Sequence, residues 1–247
     1  MQTATSSSAT LDTPPTATRR STSMPTLSHV APQVYNEPIA RVNKGAIHWK
    51  RKVFHALGIG VVPVAYASTP VEPMAALAIL AAFTVIFAGL DMARFYVPAL
   101  NRKVRKDFGM LMRDYELEGM SGSSWFLFSS LLCVAMFSKT AASIGFLYLA
   151  LGDPIASWAG LRWGKTKLPG GKSLEGSLAL VGVCTLSGLL FLVATGTGLA
   201  IGPALLVAGC AAVAAAFAEW LPIKGVDDNF VVPLVTGAAA AGLLAIV

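Results

Sequence analysis

Seven apolar stretches, each near the length of a bilayer crossing, recur along this chain and leave it few ways to fold. They occupy residues 53–69, 74–90, 124–138, 140–160, 174–194, 198–220 and 230–247. A helix needs ~20 predominantly apolar residues to cross the hydrocarbon core, with a range of about 17 to 25. Only 13% of the 247 residues are charged, against about 25% in an ordinary soluble domain, so a water-soluble globule is excluded. The expectation is an all-α, polytopic membrane protein with about seven transmembrane helices. Gly and Ala crowd several of the runs, and such small residues let membrane helices approach closely.

The charges that remain are one-sided. With the N-terminus in the cytosol, 18 of the 19 Lys and Arg fall on the cytosolic side, Lys139 being the exception, as the positive-inside bias requires. Twelve of the 13 acids fall there too, all but Glu72. The net charge of +6 therefore reads as membrane topology and not as a nucleic-acid surface. Cys133, Cys184 and Cys210 lie in separate apolar runs and offer neither a CxxC pair nor a disulfide framework. Oligomeric state has no signature in the sequence.

Seventeen of the first 28 residues are Ser, Thr or Pro, a composition too poor in apolar groups to offset ordering entropy. Residues 1–40 are thus expected as a disordered tail and 41–247 as the membrane domain. The pair Arg19-Arg20 resembles a twin-arginine signal, yet no apolar segment follows before Val53; a Ser-rich, acid-poor start also suits an organellar transit peptide. In the long connector 91–122, apolar positions from Val97 to Tyr115 recur at helical spacing between Arg102, Lys103, Arg105 and Lys106. That pattern predicts an interfacial helix on anionic lipid, with a solvated basic loop as the alternative.

Chemistry gathers in two stretches. The run 140–151 is too short to cross alone and is followed by Gly152-Asp153-Pro154. A helix broken at an ionisable residue is costly in lipid and marks Asp153 as a functional candidate, although Asp before Pro could also restart a helix as an N-cap pair. Beyond it, Gly160 to Thr166 falls one residue short of a P-loop and no strand precedes it. The physics of phosphate binding is present all the same. Gly171 permits close backbone approach, Arg162, Lys165 and Lys172 supply cations, and Ser173 can open a helix whose amides accept an anion. Snorkelling basic residues are the bland alternative. In the second stretch, Asp227, Asp228 and Asn229 are hard oxygen ligands suited to a Mg²⁺ that bridges phosphates, in a position where a plain turn would also use Asp and Asn. His55, one helical turn after Arg51, is a candidate phosphate contact or general base, and Asp91 and Arg94 close the second run.

Taken in order, these residues resemble the CTP-dependent lipid-alcohol kinases, a family comprising dolichol, diacylglycerol and phytol or farnesol kinases. The likeness rests on Arg51-Lys52-x-x-His55, Asp91-x-x-Arg94, Gly152-Asp153 with Ala156 and Gly160, Lys172-Ser173-x-x-Gly176-Ser177, and Glu219 followed by Asp227-Asp228-Asn229. It spans residues 48–247. The resemblance implies transfer of the CTP γ-phosphate to a membrane alcohol with Mg²⁺ or another divalent ion. In that scheme Asp153 with Asp227, Asp228 and Asn229 would hold the metal. Arg162, Lys165, Lys172 and Ser173, with Gly152 and Gly171, would hold the nucleotide, and His55, Asp91 and Arg94 would orient the acceptor. The expected location is a bacterial inner membrane with the site facing the cytoplasm, or alternatively an ER or plastid membrane. Two other functions compete: CMP transfer to a phospholipid, as in the related phosphatidate cytidylyltransferases, and small-solute transport at a broken helix.

Overall fold

The computed structural model describes residues 49–168, 171–221, 223 and 225–247; the expected tail, 1–40, lies outside them. Eight α-helices follow one another among the described residues: α1 (Trp49–Ser68), α2 (Pro73–Ala93), α3 (Pro98–Phe108), α4 (Gly122–Met136), α5 (Lys139–Trp163), α6 (Leu174–Ala194), α7 (Ile201–Trp220) and α8 (Asp228–Leu244). Local chemistry sets the starts. Pro73 and Pro98 open α2 and α3, where a missing N–H costs nothing. Side chains of Ser121, Ser138, Ser173 and Asp227 each accept from a backbone N–H of the first turn of α4, α5, α6 and α8.

All seven apolar runs are helical. Four of these helices, α2, α5, α6 and α7, are long and apolar enough to cross a membrane. The other three are shorter: the apolar part of α1 is Leu57–Ser68, α4 has 15 residues and α8 has 17, below the ~20 of a full crossing.

Helix α5 is the axis of the bundle. Its residues 141–150 are all buried, and it packs against α1, α6, α7 and α8, while α2 rests on α4 and α4 on α8. Close approach depends on missing side chains. A Cβ on Gly145 would fall 2.6 Å from the Pro233 carbonyl of α8, and one on Gly176 would fall 2.6 Å from the Ala156 carbonyl of α5. Tyr148, fully buried on α5, passes over Gly188 of α6 and donates its hydroxyl to the Ala208 carbonyl of α7 at 2.9 Å. The outside of the bundle is apolar: Leu57, Phe83, Val85, Leu186, Leu190 and Val213 are all exposed, Val85 by 74%. A lipid-facing surface has that character.

Two local expectations change. Helix α5 does not break at Asp153-Pro154 but runs through both for 25 residues. Proline removes one helical hydrogen bond, and membrane helices tolerate that when neighbours hold the segment; here Gly152, Ala156 and Ala159 pack on either side of it. Asp153 is therefore an acid on a continuous helix face and not a cap. The amphipathic run from Val97 to Tyr115 is helical only as far as Phe108. Two 3-10 turns, Gly109–Leu111 and Asp114–Leu117, then redirect the chain toward α4.

Candidate active site

The polar ends of α1, α2, α5, α6, α7 and α8 meet at one end of the bundle, and ion pairs tie them together. At the first turn of α1, the Lys52 ammonium donates to Asp153 Oδ2 at 2.5 Å and to Ser157 Oγ at 2.9 Å, both on α5. The loop after α5 doubles back as a short hairpin: Leu168 N donates to Lys172 O at 2.9 Å and Leu174 N to Thr166 O at 3.0 Å. Gly171 stands at its turn with φ +81°, a backbone that side-chain-bearing residues rarely adopt. Ser173 then opens α6, and its Oγ sits where Gly160, Gly164 and Gly176 carry no Cβ; a Cβ on Gly160 would lie 2.8 Å from it. These small residues leave a cavity of about 220 Å³ lined by Ser157, Gly160, Gly171, Lys172, Ser173 and Glu219 among others.

A second cavity, of about 660 Å³, adjoins it and shares Lys172 and Glu219. Its polar wall comes from three distant segments: Arg113 and Tyr115 of the α3–α4 connector, Glu219 of α7, and Asp227 and Asp228 at the start of α8. Trp125, Trp220, Leu221 and Val231 supply the apolar wall. Lys172 Nζ lies 2.6 Å from Glu219 Oε1 and 3.8 Å from Asp228 Oδ2. Arg113 pairs with Asp228 at 3.1 Å and Asp227 at 3.3 Å, and also contacts the Tyr115 hydroxyl. Tyr115 in turn donates to Asp227 Oδ2 at 2.6 Å.

Burial and charge oppose each other here. Burial lowers the Lys172 ammonium, but Glu219, Asp228 and Asp153 outweigh it and hold the group above its ordinary value. Burial pushes both neighbouring carboxyls of α8 up. At Asp228 the Arg113 and Lys172 charges win and keep it below the usual carboxylate range. At Asp227 the Asp228 charge adds to burial, and the group rises to about 6.

The expected site residues are divided among these places. Gly171, Lys172 and Ser173 line the smaller cavity, and Asp227 and Asp228 line the larger. Asp153 lies beneath them on Lys52. Arg162 and Lys165 are exposed and line neither. Gly152 faces Leu180 and Cys184 of α6, where a Cβ would be 3.0 to 3.1 Å away. Asn229 is buried, with its Oδ1 lacking a hydrogen-bond partner among the described residues. Asp91 and Arg94 bond each other at 2.8 Å and clamp the connector: Arg94 donates to the carbonyls of Glu116 and Gly119, and Asp91 accepts from Ser121 N and Ser124 Oγ. His55 is on α1, its side chain outside those described. Arg113 and Tyr115 had no expected role. Lys52 and Glu219 carried the resemblance without one.

The four expected metal ligands do not form one cage. Among the described residues, no three His, Cys, Asp or Glu side chains gather as a ready metal site; Asp153 pairs with Lys52, and Asp227 and Asp228 pair with Arg113. The donor chemistry nevertheless suits Mg²⁺, which keeps several waters and takes one or two carboxylates together with substrate phosphates.

Fold and site define an α-helical membrane protein that presents paired acids and bases, an anion-sized cavity and an apolar-walled cavity at one end of its bundle. The chain is 30% identical over 184 residues to CTP-dependent diacylglycerol kinase 1 of Schizosaccharomyces pombe, covering 69% of this chain and 80% of that protein. It is 31% identical over 140 residues to CTP-dependent diacylglycerol kinase 1 of Saccharomyces cerevisiae, covering 55% of this chain and 48% of that one. An uncharacterized protein of Rickettsia prowazekii is 30% identical over 131 residues, or 52% of this chain and 62% of its own. No family model matches the chain, and no solved structure does. The chain belongs to the family of CTP-dependent lipid kinases, phosphotransferases with an alcohol group as acceptor.

Proposed function

We propose that this protein transfers the γ-phosphate of CTP to the hydroxyl of diacylglycerol at the membrane surface, giving phosphatidate and CDP. The observation that carries the reading is the junction at Lys172 and Glu219, where a small cavity rimmed by glycines and a helix N-terminus meets a larger one with aromatic walls. A triphosphate suits the first and a lipid headgroup the second. The names of the two yeast relatives favour diacylglycerol over an isoprenoid alcohol.

In this reading Lys172, Ser173 and the first amides of α6 bind the phosphates, with Gly171 letting the backbone come close. Arg113 turns from the acids toward charge that develops on the transferred group. Asp228, with Asp227, would hold Mg²⁺, whose contribution is to neutralise the triphosphate. Asp153 fixes Lys52 and the α5 face on which the nucleotide rests, while Asp91 and Arg94 hold the connector that carries Arg113. Exposed Arg162 and Lys165 attract the anionic nucleotide from solution. All seven apolar helices cross the membrane, the shorter ones against a locally thinned bilayer, with the site on the cytosolic face.

The test uses purified protein, γ-labelled CTP, Mg²⁺ and separate micelles of diacylglycerol, polyprenol, phytol and farnesol. Label in phosphatidate with release of CDP is expected. Pyrophosphate release, or label in no lipid from folded protein, overturns the proposal. A reporter fused after Val247 should lie on the side opposite the site.

A further inference from the structure

Among the carboxylates at this end of the bundle, Asp153, Asp227 and Asp228 are committed to partners. Asp153 takes Lys52 at 2.5 Å. Asp227 caps α8 with Oδ1 at 2.9 Å from Asn229 N and receives the Tyr115 hydroxyl on Oδ2. Asp228 faces both terminal nitrogens of Arg113, at 3.1 and 3.5 Å. Glu219 differs: Lys172 engages its Oε1 at 2.6 Å, and no hydrogen bond from a described residue reaches Oε2. It is also the one carboxylate among these that lines both cavities. Ala218, Trp220 and Leu221, its neighbours in sequence, line the larger cavity beside it, and Trp220 and Leu221 remain exposed at the bundle surface.

We infer that Glu219 is the group that orients the acceptor hydroxyl and removes its proton; the inference rests on the kinase reading above. Lys172 is the link. While the nucleotide is absent, the ammonium covers Glu219. A triphosphate entering the smaller cavity draws Lys172 onto its phosphates, and the carboxylate is uncovered at the junction where the lipid hydroxyl meets the γ-phosphorus. The acceptor oxygen then forms its bond to that phosphorus as the bond to the β-bridging oxygen breaks. The hydroxyl proton passes to Glu219, CDP leaves with the bonding electrons, and the proton is later lost to water. Tying base exposure to nucleotide binding keeps a buried anion paired until its substrate is present.

The test compares wild type, Glu219→Gln and Glu219→Asp with γ-labelled CTP and two acceptors, diacylglycerol and an analogue fluorinated beside the hydroxyl, whose proton is more acidic. With diacylglycerol, Glu219→Gln should lower kcat by about 10²–10⁴-fold while the KM for CTP stays within about 3-fold. Its deficit should shrink on the fluorinated acceptor, which needs less help from a base, and Glu219→Asp should recover part of the rate. If Glu219 merely anchors Lys172, Glu219→Gln raises the KM for CTP and the deficit is equal on both acceptors; either result overturns the inference. Should Glu219→Gln fail to fold, Glu219→Asp carries the same two-acceptor comparison. Failure of wild type to label any lipid refutes the kinase reading itself and is thereby distinguished.

Discussion

Gly176→Ala and Gly182→Ala add the same methyl group to the same helix and should have opposite effects. A Cβ at position 176 would lie 2.6 Å from the Ala156 carbonyl oxygen, 3.0 Å from Ser173 Oγ and 3.4 Å from Gly160 Cα. The first of these is backbone and cannot swing away, so α5 and α6 must separate by about 0.8 Å to restore a 3.4 Å contact. Overpacking of this kind costs about 1–3 kcal/mol, offset by about 1 kcal/mol from the better helix propensity of alanine. The net is a loss of up to about 2 kcal/mol. At position 182 no atom of the described residues lies within 4 Å, so the propensity gain of about 1 kcal/mol remains. The displacement at Gly176 also falls where Ser173 and Lys172 would grip the phosphates, and a misplacement near 1 Å costs about 10²-fold in rate. Thermal unfolding of both variants in one detergent, with kcat/KM for CTP, decides the matter. Equal melting temperatures, or a stable Gly176→Ala with unchanged kcat/KM, would refute the claim that a glycine contact sets the α5–α6 spacing at the site.

Lys52→Met removes the ammonium 2.5 Å from Asp153 Oδ2 and should lower the melting temperature; adding Asp153→Asn should recover part of that in the same assay, and no recovery would contradict the pairing. Arg94→Lys should destabilise nearly as much as Arg94→Ala, because an ammonium cannot reproduce a guanidinium that bonds Asp91, Glu116 O and Gly119 O at once; limited proteolysis of the α3–α4 connector reads the loss. Chelation of divalent ions should abolish lipid phosphorylation, and Asp228→Asn should raise the Mg²⁺ concentration for half-maximal rate by about tenfold, the order lost when a metal's protein partner is removed. An unchanged Mg²⁺ dependence would remove Asp228 from the metal assignment.

What was legible in the sequence was legible for local reasons. Apolar runs locate helices because a lipid-facing helix must be apolar along its length, and Ser173 announces a helix start because its side chain bonds an amide one turn on. The Pro154 break failed because proline's cost is local while its tolerance is tertiary: packing around α5 is not written in residues 150–160. Arg113 was illegible for the same reason. It meets Asp227 across 114 positions of sequence, from a connector whose amphipathic spacing pointed to lipid. The clamp of Asp91 and Arg94 on the connector holds it there, together with Glu116, whose Oε2 accepts from Arg113 N. Gly152 and Gly171 look equivalent as letters, yet one lets α6 approach and the other turns a hairpin.

The one-sided charge of the sequence acquires a mechanism from these pairings. Four carboxylates, Asp153, Glu219, Asp227 and Asp228, stand with three cations, Lys52, Arg113 and Lys172. Unpaired at the edge of a bilayer, such charges would be prohibitive; paired, they are tolerable. In the kinase reading proposed above, Asp228 and Asp227 would hold Mg²⁺, which would neutralise the triphosphate, while Arg113 and Lys172 would pair with phosphate in place of those acids. On that proposal the protein's own ion pairs would stand in for the substrate before it binds. Binding would then be an exchange of partners in a low-dielectric site, where each new contact is made as an equivalent one is released.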